Sequence, residues 1–455
     1  MADYDFVVIG GGPAGYTAAL KAAERGARVA VVEAERPGGA CINHTCIPTN
    51  IMLSAATSFL ETRELDVMGV FSVGETFNYG RAAARKDALA KQLADGTRAA
   101  LRIAKVALIE GRAAFRSAEA ISVTAGDGVQ ELAAQAFLIA TGSRWEAPSI
   151  PGVAPERVLT ADAVHRLAEA PKSALILGGG PADTAFGLEY AVLLAAAGAQ
   201  VTIATPAARL LPGVDQTVAE VAVAALGDLG ITVLTGAHVR GGPGMDVEVE
   251  HGGGSTTVEA ELLVAADTRK PFVEGLNLEA AGLPASAPIS VGRDCRTRVP
   301  RILAAGDVTG GVMLTNAASH MGEVAAINAT GGAARTRLSA VPQLLHGVPE
   351  IAWIGMTEEA ARAAGHEVAT GIADLGYNAR AMTLGARQGM VKVVAERELG
   401  EILGVHMVGP GGAEVLAAAA TAMQAEVTVH DLAATVYWHP SLAEGLAEAA
   451  RRALA

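Results

Sequence analysis

Three cysteines occur among 455 residues, and two of them stand five positions apart in Gly38-Gly39-Ala40-Cys41-Ile42-Asn43-His44-Thr45-Cys46-Ile47-Pro48. Two thiols at that spacing, at the entrance to a helix, can close a small disulfide ring if the residues between them leave helical geometry. A helix N-terminus also lowers the pKa of a nearby thiol, which improves it as a nucleophile or electron donor. A metal reading would enlist His44 and needs further ligands. None stands nearby with zinc-like spacing, so no metal site is expected. Inert core cysteines fit poorly beside two glycines. Cys295 is solitary, near the turn Gly292-Arg293-Asp294, and reads as a small buried residue. His44 reads as a solvated or capping residue, placed where it can shift the thiol potentials.

Positioning these thiols falls to the elements before them. Phe6-Val7-Val8-Ile9 is an apolar strand, followed by Gly10, Gly12 and Gly15 in the pattern GxGxxG, a helical stretch, Gly26, and a second strand ending at Glu33. This is the βαβ start of a dinucleotide-binding unit. Its glycines permit a tight turn and let a pyrophosphate approach the helix N-terminus, whose free N–H groups and dipole favour an anion. Glu33 lies 21 residues after Gly12, where an acid accepts the ribose hydroxyls of an adenosine.

The unit recurs. Leu175-Ile176-Leu177 leads into Gly178-Gly179-Gly180-Pro181-Ala182-Asp183, then a helical stretch, Gly198, and a strand from Gln200 to Ala204. Two such units imply two doubly wound domains in series. The second copy is altered. Gly12 to Gly26 spans 14 residues but Gly180 to Gly198 spans 18, an excess of about one helical turn. Asp183 stands where Gly15 stands in the first copy, and its carboxylate would cap the helix while repelling a pyrophosphate. The strand runs on into Thr205, with neither an acid for a ribose hydroxyl nor an arginine for a 2′-phosphate. Either the fold is kept and the ligand lost, or the longer loop binds nucleotide in another way.

The rest of the composition sets limits. Hydrophobic residues are 51% and charged residues 18%, which excludes a disordered chain. A net charge of −13 argues against nucleic acid or an anionic membrane as the main partner. The longest uncharged run, Tyr190 to Ala208, is broken by Gly198 and Pro206 and reads as a buried helix, a turn and a strand rather than a membrane span. The N-terminus has no basic region or small-residue cleavage site, so no signal peptide is expected. Sparse cysteine suits a reducing, cytoplasmic setting.

The loop around Cys41 and Cys46 resembles the signature GGxCxNxxCIPxK of the flavin-dependent pyridine-nucleotide disulfide oxidoreductases, the family of dihydrolipoamide dehydrogenase and the glutathione, mycothione and mercuric reductases. The likeness continues through Ala140-Thr141-Gly142, Ala305-Gly306-Asp307, Val348-Pro349-Glu350-Ile351-Ala352-Trp353-Ile354-Gly355, Gly404 to Pro410, and the terminal His439-Pro440-Ser441-Leu442-Ala443-Glu444. It covers essentially the whole chain. The resemblance implies an α/β fold of two doubly wound, Rossmann-like dinucleotide-binding domains plus a C-terminal α+β dimerisation domain. Residues 1–146 and 269–335 would bind FAD, 147–268 would form a degenerate NAD(P)H-binding-like domain, and 340–455 the dimer interface. Cys41 would be the interchange thiol and Cys46 the charge-transfer thiol. His439 would be the acid/base, oriented by Glu444 and serving the other subunit's disulfide in a homodimer. The cofactor-binding set would be Gly10, Gly12, Pro13, Ala14, Gly15, Glu33, Gly39, Ala40, Asn50, Ala140, Thr141, Gly142, Gly306 and Asp307. Tyr437 and Trp438 are either packing residues or a wall of the substrate site.

Departures from the family pattern gather on one side of the flavin. Asn50 replaces a lysine that sits near the flavin N5 and pairs with a glutamate, for which Glu189 is the candidate. The second glycine motif is altered as described. Ala265-Ala266-Asp267-Thr268-Arg269-Lys270-Pro271 replaces the glycine-containing turn A-x-G-R-x-P. The landmarks for FAD, the disulfide and the histidine are present, while those for nicotinamide entry are largely missing. The favoured reading is therefore a dithiol oxidase or dehydrogenase, passing electrons from a small dithiol or carrier-bound thiol through Cys41/Cys46 to FAD and on to oxygen or another acceptor. The alternatives are an NAD(P)H-dependent disulfide reductase and a non-catalytic flavin-binding partner protein. Intact cysteines and His439 count against the last, because a binding protein needs neither nucleophile nor base.

Overall fold

The structure is a computed structural model, and it describes residues 2–62, 76–126, 128–178, 184–242, 244–266, 269–386 and 388–455. The chain divides into two compact units. One comprises Met1–Pro48, Ala84–Glu146 and Arg269–Leu338; the other comprises Thr49–Ala83, Ala147–Thr268 and Ser339–Ala455.

In the first unit, strand β1 (Tyr4–Ile9), helix α1 (Pro13–Glu24) and strand β2 (Val29–Glu33) form the expected βαβ motif. β1 pairs in parallel with β2 on one side and with the strand Gly128–Ile139 on the other. Strands Ala107–Glu110 and Ile302–Ala304 extend this parallel core, and Arg112–Ser117 and Ala120–Ala125 add an antiparallel meander. A strand covered on both faces reads as a continuous apolar run, as Phe6–Ile9 does. Its alternate side chains enter opposite cores: Phe6 and Val8 pack with Val29, Val31 and Leu138, while Val7 and Ile9 pack with Ala30, Val32, Phe137 and Ile139. α1 is lined with Ala14, Ala18, Ala19 and Ala22, all buried, so a second helix, Thr315–Ala329, can pack closely against it.

The second unit carries the repeat. Strands Thr232–Leu234, Gln200–Ala204, Ser173–Leu177, Leu262–Ala265 and Val158–Thr160 form a wholly parallel sheet in that order. Helix Thr184–Ala196, a turn at Gly198 and strand Gln200–Ala204 account for the long uncharged run. Asp183, Asp267 and Thr268, on which part of the sequence reading depends, lie outside the described residues. A five-stranded antiparallel sheet, flanked by helices Gly412–Gln424 and Glu444–Ala453, completes the unit. This is the α+β element expected at the C-terminus. Among the described residues, no helix is long and apolar enough to cross a membrane.

Candidate active site

The first glycine turn is built to approach something closely. A β-carbon on Gly15 would lie 1.8 Å from the carbonyl oxygen of Gly10, so no side chain fits there. Gly12 is the N-cap of α1. It offers no side-chain cap, Pro13 follows, and no acid lies in the first turn. The helix therefore presents free N–H groups and an unopposed positive end. Beside it, Glu33 is buried, its two carboxylate oxygens accepting from Gly11 N at 2.6 Å and Glu35 N at 2.8 Å. Burial pushes the Glu33 carboxyl above the usual range, opposed by the N–H groups of Glu35 and Gly11. Each oxygen keeps a second lone pair for a hydroxyl donor.

Other residues expected to bind the cofactor lie near this turn or pair with one another. Ala140 N donates to Ile9 O at 2.8 Å, continuing the sheet beside Gly10, and Thr141 Oγ1 donates to Phe272 O at 2.6 Å. Gly142 accepts from Phe272 N at 2.9 Å. A β-carbon on Gly306 would lie 3.2 Å from Ala14 Cβ, which puts the second flavin motif directly against α1. Asp307 Oδ2 accepts from Ser143 Oγ at 2.7 Å and faces Arg269 Nη1 at 3.4 Å. A helix terminus without a cap, a turn that excludes side chains and a half-satisfied buried carboxylate together fit a dinucleotide.

The redox loop is pinned to the same turn. Helix α2 (Gly39–Asn43) carries Cys41, and helix α3 (Cys46–Thr62) opens on Cys46. The helical path breaks between them at His44 and Thr45, whose N–H groups both donate to Ala40 O, at 2.8 and 2.9 Å. Gly39 has φ +58°, and a β-carbon there would lie 2.6 Å from Gly12 Cα. Asn43 Nδ2 donates to Gly39 O at 2.9 Å, and His44 Nε2 lies 3.3 Å from Glu35 Oε2. Both cysteines are half-buried thiols in contact with each other. The hydrogen bond between them raises the Cys41 thiol, with burial adding to it. The same bond lowers the Cys46 thiol, to about 6, against the opposing effect of burial and with help from Thr315 and Thr45. Asn50 lies one turn beyond Cys46 on α3 and is half-buried. Cys295 is fully buried, its sulfur donating to Met321 O at 3.4 Å.

His439 and Glu444 meet in the second unit. Helix Glu444–Ala453 begins just after the turn at Pro440, and Glu444 Oε1 lies 3.0 Å from His439 Nδ1. Ser441 N donates to Glu444 Oε2 at 2.8 Å, and this bond followed by the imidazole holds the carboxyl below its ordinary value. An ionised carboxylate only accepts, so Nδ1 donates to it, and in the neutral ring the lone pair is then on Nε2. The ring is 72% exposed, and the neighbouring Trp438 is exposed as well.

The second βαβ unit differs from the first. Leu177 pairs with Ala204 as Ile9 pairs with Val32, so Thr205 occupies the place of Glu33. Thr205 is fully buried and its hydroxyl accepts from Ala207 N at 3.2 Å. Arg209, the next cation along the chain, donates to the carbonyls of Leu211, Pro212 and Val214 and pairs with Glu359 at 3.5 Å. Glu189 is buried and accepts from His346 N at 3.1 Å.

Sequence reasoning did not connect Thr315 with Cys46, or Ser143 and Arg269 with Asp307. Thr315 carries no local signal; Ser143 follows Ala140-Thr141-Gly142 and Arg269 stands in the segment Ala265 to Pro271, but only the tertiary fold brings either to Asp307. Among the described residues, no group of three or more His, Cys, Asp or Glu side chains is placed to hold a metal ion.

Comparison with known proteins agrees along the full length. Residues 4–322 match the pyridine nucleotide-disulphide oxidoreductase family model, and residues 341–450 match the dimerisation domain of that family. A dihydrolipoyl dehydrogenase of Bacillus subtilis is 33% identical over 98% of this chain and 97% of its own. One from Thermus scotoductus is 36% identical over 99% and 97%. Among solved structures, LpdA of Mycobacterium tuberculosis superposes with a TM-score of 0.88 at 30% identity, covering 99% of this chain and 100% of that one. The HOCl-induced flavoprotein disulfide reductase RclA of Escherichia coli, as its Cu(II) complex, gives 0.86 at 27% identity, covering 99% of each chain. With the glycine turn, the paired thiols and the dimerisation domain in place, the chain belongs to the pyridine nucleotide-disulphide oxidoreductases, a family of FAD-dependent enzymes.

Proposed function

We propose that this chain is an FAD-dependent dithiol oxidase or dehydrogenase, working as a homodimer and delivering electrons to oxygen or another acceptor rather than to NAD(P)⁺. Gly10, Gly12, Pro13, Ala14 and Gly15, with Gly39, Ala40, Ala140–Gly142 and Gly306, would line the dinucleotide. Glu33 would take the adenosine ribose and Asp307 the ribityl–pyrophosphate region. Asn50 would stand near the flavin ring. Bound FAD supplies the two-electron acceptor that returns the reduced thiol pair to its disulfide.

The chain's own part starts from a Cys41–Cys46 disulfide. The partner subunit's His439 takes a proton from one substrate thiol through Nε2, with Glu444 supporting the imidazolium. The thiolate attacks Cys41 Sγ; a substrate–Cys41 disulfide forms, the Cys41–Cys46 bond breaks, and Cys46 leaves as a thiolate. The second substrate thiol attacks the substrate sulfur of the mixed disulfide, the substrate–Cys41 bond breaks and the substrate departs as a disulfide; Cys41 takes up the proton of that second thiol, while the first proton stays on the His439 imidazolium of the partner subunit. Two electrons then rest on Cys41–SH and Cys46–S⁻.

The observation that carries the choice of acceptor is Thr205. Where Glu33 offers the first unit's ligand two buried carboxylate oxygens, the second unit has a fully buried hydroxyl turned to its own backbone. Losing one charge-assisted hydrogen bond weakens binding by about 1.5–3 kcal/mol, roughly ten- to hundredfold. Calorimetric titration of the oxidised enzyme with NADH and NADPH tests this. The expected dissociation constants are near millimolar or weaker, and micromolar binding would reject the reading.

A second reading has a specific basis. Relatives 32–36% identical are dihydrolipoyl dehydrogenases, which favours an NAD(P)H-linked disulfide reductase. Micromolar nucleotide binding would install that reading in place of the first.

A further inference from the structure

We propose that Thr315 is a positioning residue for the redox pair: its hydroxyl donates to Cys46 and keeps the negative charge of the reduced pair on that sulfur, leaving the proton on Cys41. The proposal rests on the reading of Cys41 and Cys46 as the redox couple.

Thr315 Oγ1 lies 3.4 Å from Cys46 Sγ, within hydrogen-bond distance for sulfur, although 269 residues separate the two in sequence. A thiolate has no proton to give, so the hydroxyl must be the donor when Cys46 is ionised. The other nearby hydroxyl contributes less: Thr45 Oγ1 is 3.7 Å from the sulfur and shares its one proton with Ala40 O at 3.2 Å.

Helix geometry reinforces the hydroxyl. Cys46 is the first residue of the 17-residue α3, and Thr315 is the first residue of the 15-residue helix Thr315–Ala329. That second helix is preceded by Leu314, which gives no side-chain cap. Two positive helix ends therefore meet at one sulfur, each favouring an anion there. Cys41 lies within the short α2 rather than at the start of a long helix. The asymmetry of the pair is thus a property of the fold around Cys46, and Thr315 is its one contributor that a point substitution removes without altering the loop.

Thr315→Val keeps the shape and deletes the hydroxyl; Thr315→Ser keeps the hydroxyl. Each holoenzyme is reduced anaerobically with one equivalent of dithionite, and thiolate is followed against pH in two ways. One is the long-wavelength absorbance of the reduced protein. The other, independent of flavin, is iodoacetamide labelling assigned to Cys41 or Cys46 by mass spectrometry. Thr315→Val should raise the Cys46 midpoint by about one pH unit, a tenfold loss of thiolate at a fixed acidic pH, and move the pH dependence of Cys46 labelling by the same amount. Thr315→Ser should restore the wild-type midpoint. Superposable wild-type and valine titrations would overturn the proposal. If the valine variant is not recovered folded, Thr315→Ala under the same titration decides. A wild-type protein with no reducible pair would instead overturn the underlying reading, and the two failures are told apart by the wild-type control.

Discussion

Cys46 sits where a sulfur anion is stable and Cys41 where a protonated thiol is, and this difference sets what each substitution should do. Cys41→Ser should stop exchange with substrate yet leave a Cys46 thiolate able to give long-wavelength absorbance with oxidised flavin, whereas Cys46→Ser should lose that absorbance. Wild-type turnover in both variants would remove the disulfide from the electron path. The Cys46 thiol is lowered to about 6, first by its bond to Cys41, so in the reduced wild-type protein the absorbance should persist above that pH and fade as the pH falls through it. An undiminished band at pH 4 would mean that another group carries the charge. His439→Ala should slow thiol oxidation by about 10²–10⁴-fold, the usual size of a lost acid/base; less than tenfold would make the residue structural. The pairing of His439 with Glu444 was legible because the motif is local and a turn with a helix start fixes its geometry. Thr315 was not, because a threonine opening a helix is commonplace and only the tertiary fold brings it to Cys46.

The two βαβ units show how much an element can say and where it stops. Both were readable from apolar runs, glycine turns and their spacing, and the parallel register places Glu33 and Thr205 at equivalent strand ends. That Thr205 is buried and turned to Ala207 was not readable, since side-chain direction at a strand end depends on the turn that follows. Close packing between elements supplies a further test. Gly39 has positive φ and nearly touches Gly12, so the redox loop and the glycine turn are joined through two residues without side chains. Gly39→Ala should prise them apart, weakening flavin retention by at least about tenfold through backbone strain and overlap together. Flavin release on dialysis measures this, and wild-type retention would show that the contact is not needed. Gly15→Ala should be more severe, because its β-carbon would lie 1.8 Å from the Gly10 carbonyl oxygen, against 2.6 Å from Gly12 Cα at Gly39.

At the scale of the whole molecule, one buried ionic cluster in the second unit joins the parallel-sheet region to the C-terminal sheet. Lys392 Nζ donates to Asp215 Oδ1 at 2.9 Å and to Glu358 Oε2 at 2.7 Å, and Asp215 N donates to His406 Nδ1 at 3.2 Å. Burial would push Asp215 up, but the bond and charge of Lys392 outweigh it and hold the carboxyl low; Glu358 is held low first by its bond to Lys392. Removing one member of such a buried pair costs about 3–5 kcal/mol, so Lys392→Met should lower the melting temperature clearly at neutral pH. Both carboxyls are depressed in the folded chain. Their contribution is therefore full above their unfolded values and lost as the pH falls through the folded ones, and the deficit of the variant should shrink in acid. A deficit independent of pH would point to packing instead. Nothing in the sequence marked this cluster, because its members lie in four separate segments, each of ordinary composition. Electrons should enter from the dithiol and not from a nicotinamide nucleotide. Rapid anaerobic mixing of the oxidised holoenzyme with dihydrolipoamide, NADH or NADPH, while flavin absorbance is followed, separates the two. Prompt bleaching by the dithiol and slow or no bleaching by either nucleotide is expected. Bleaching within milliseconds by micromolar NADH or NADPH would contradict it.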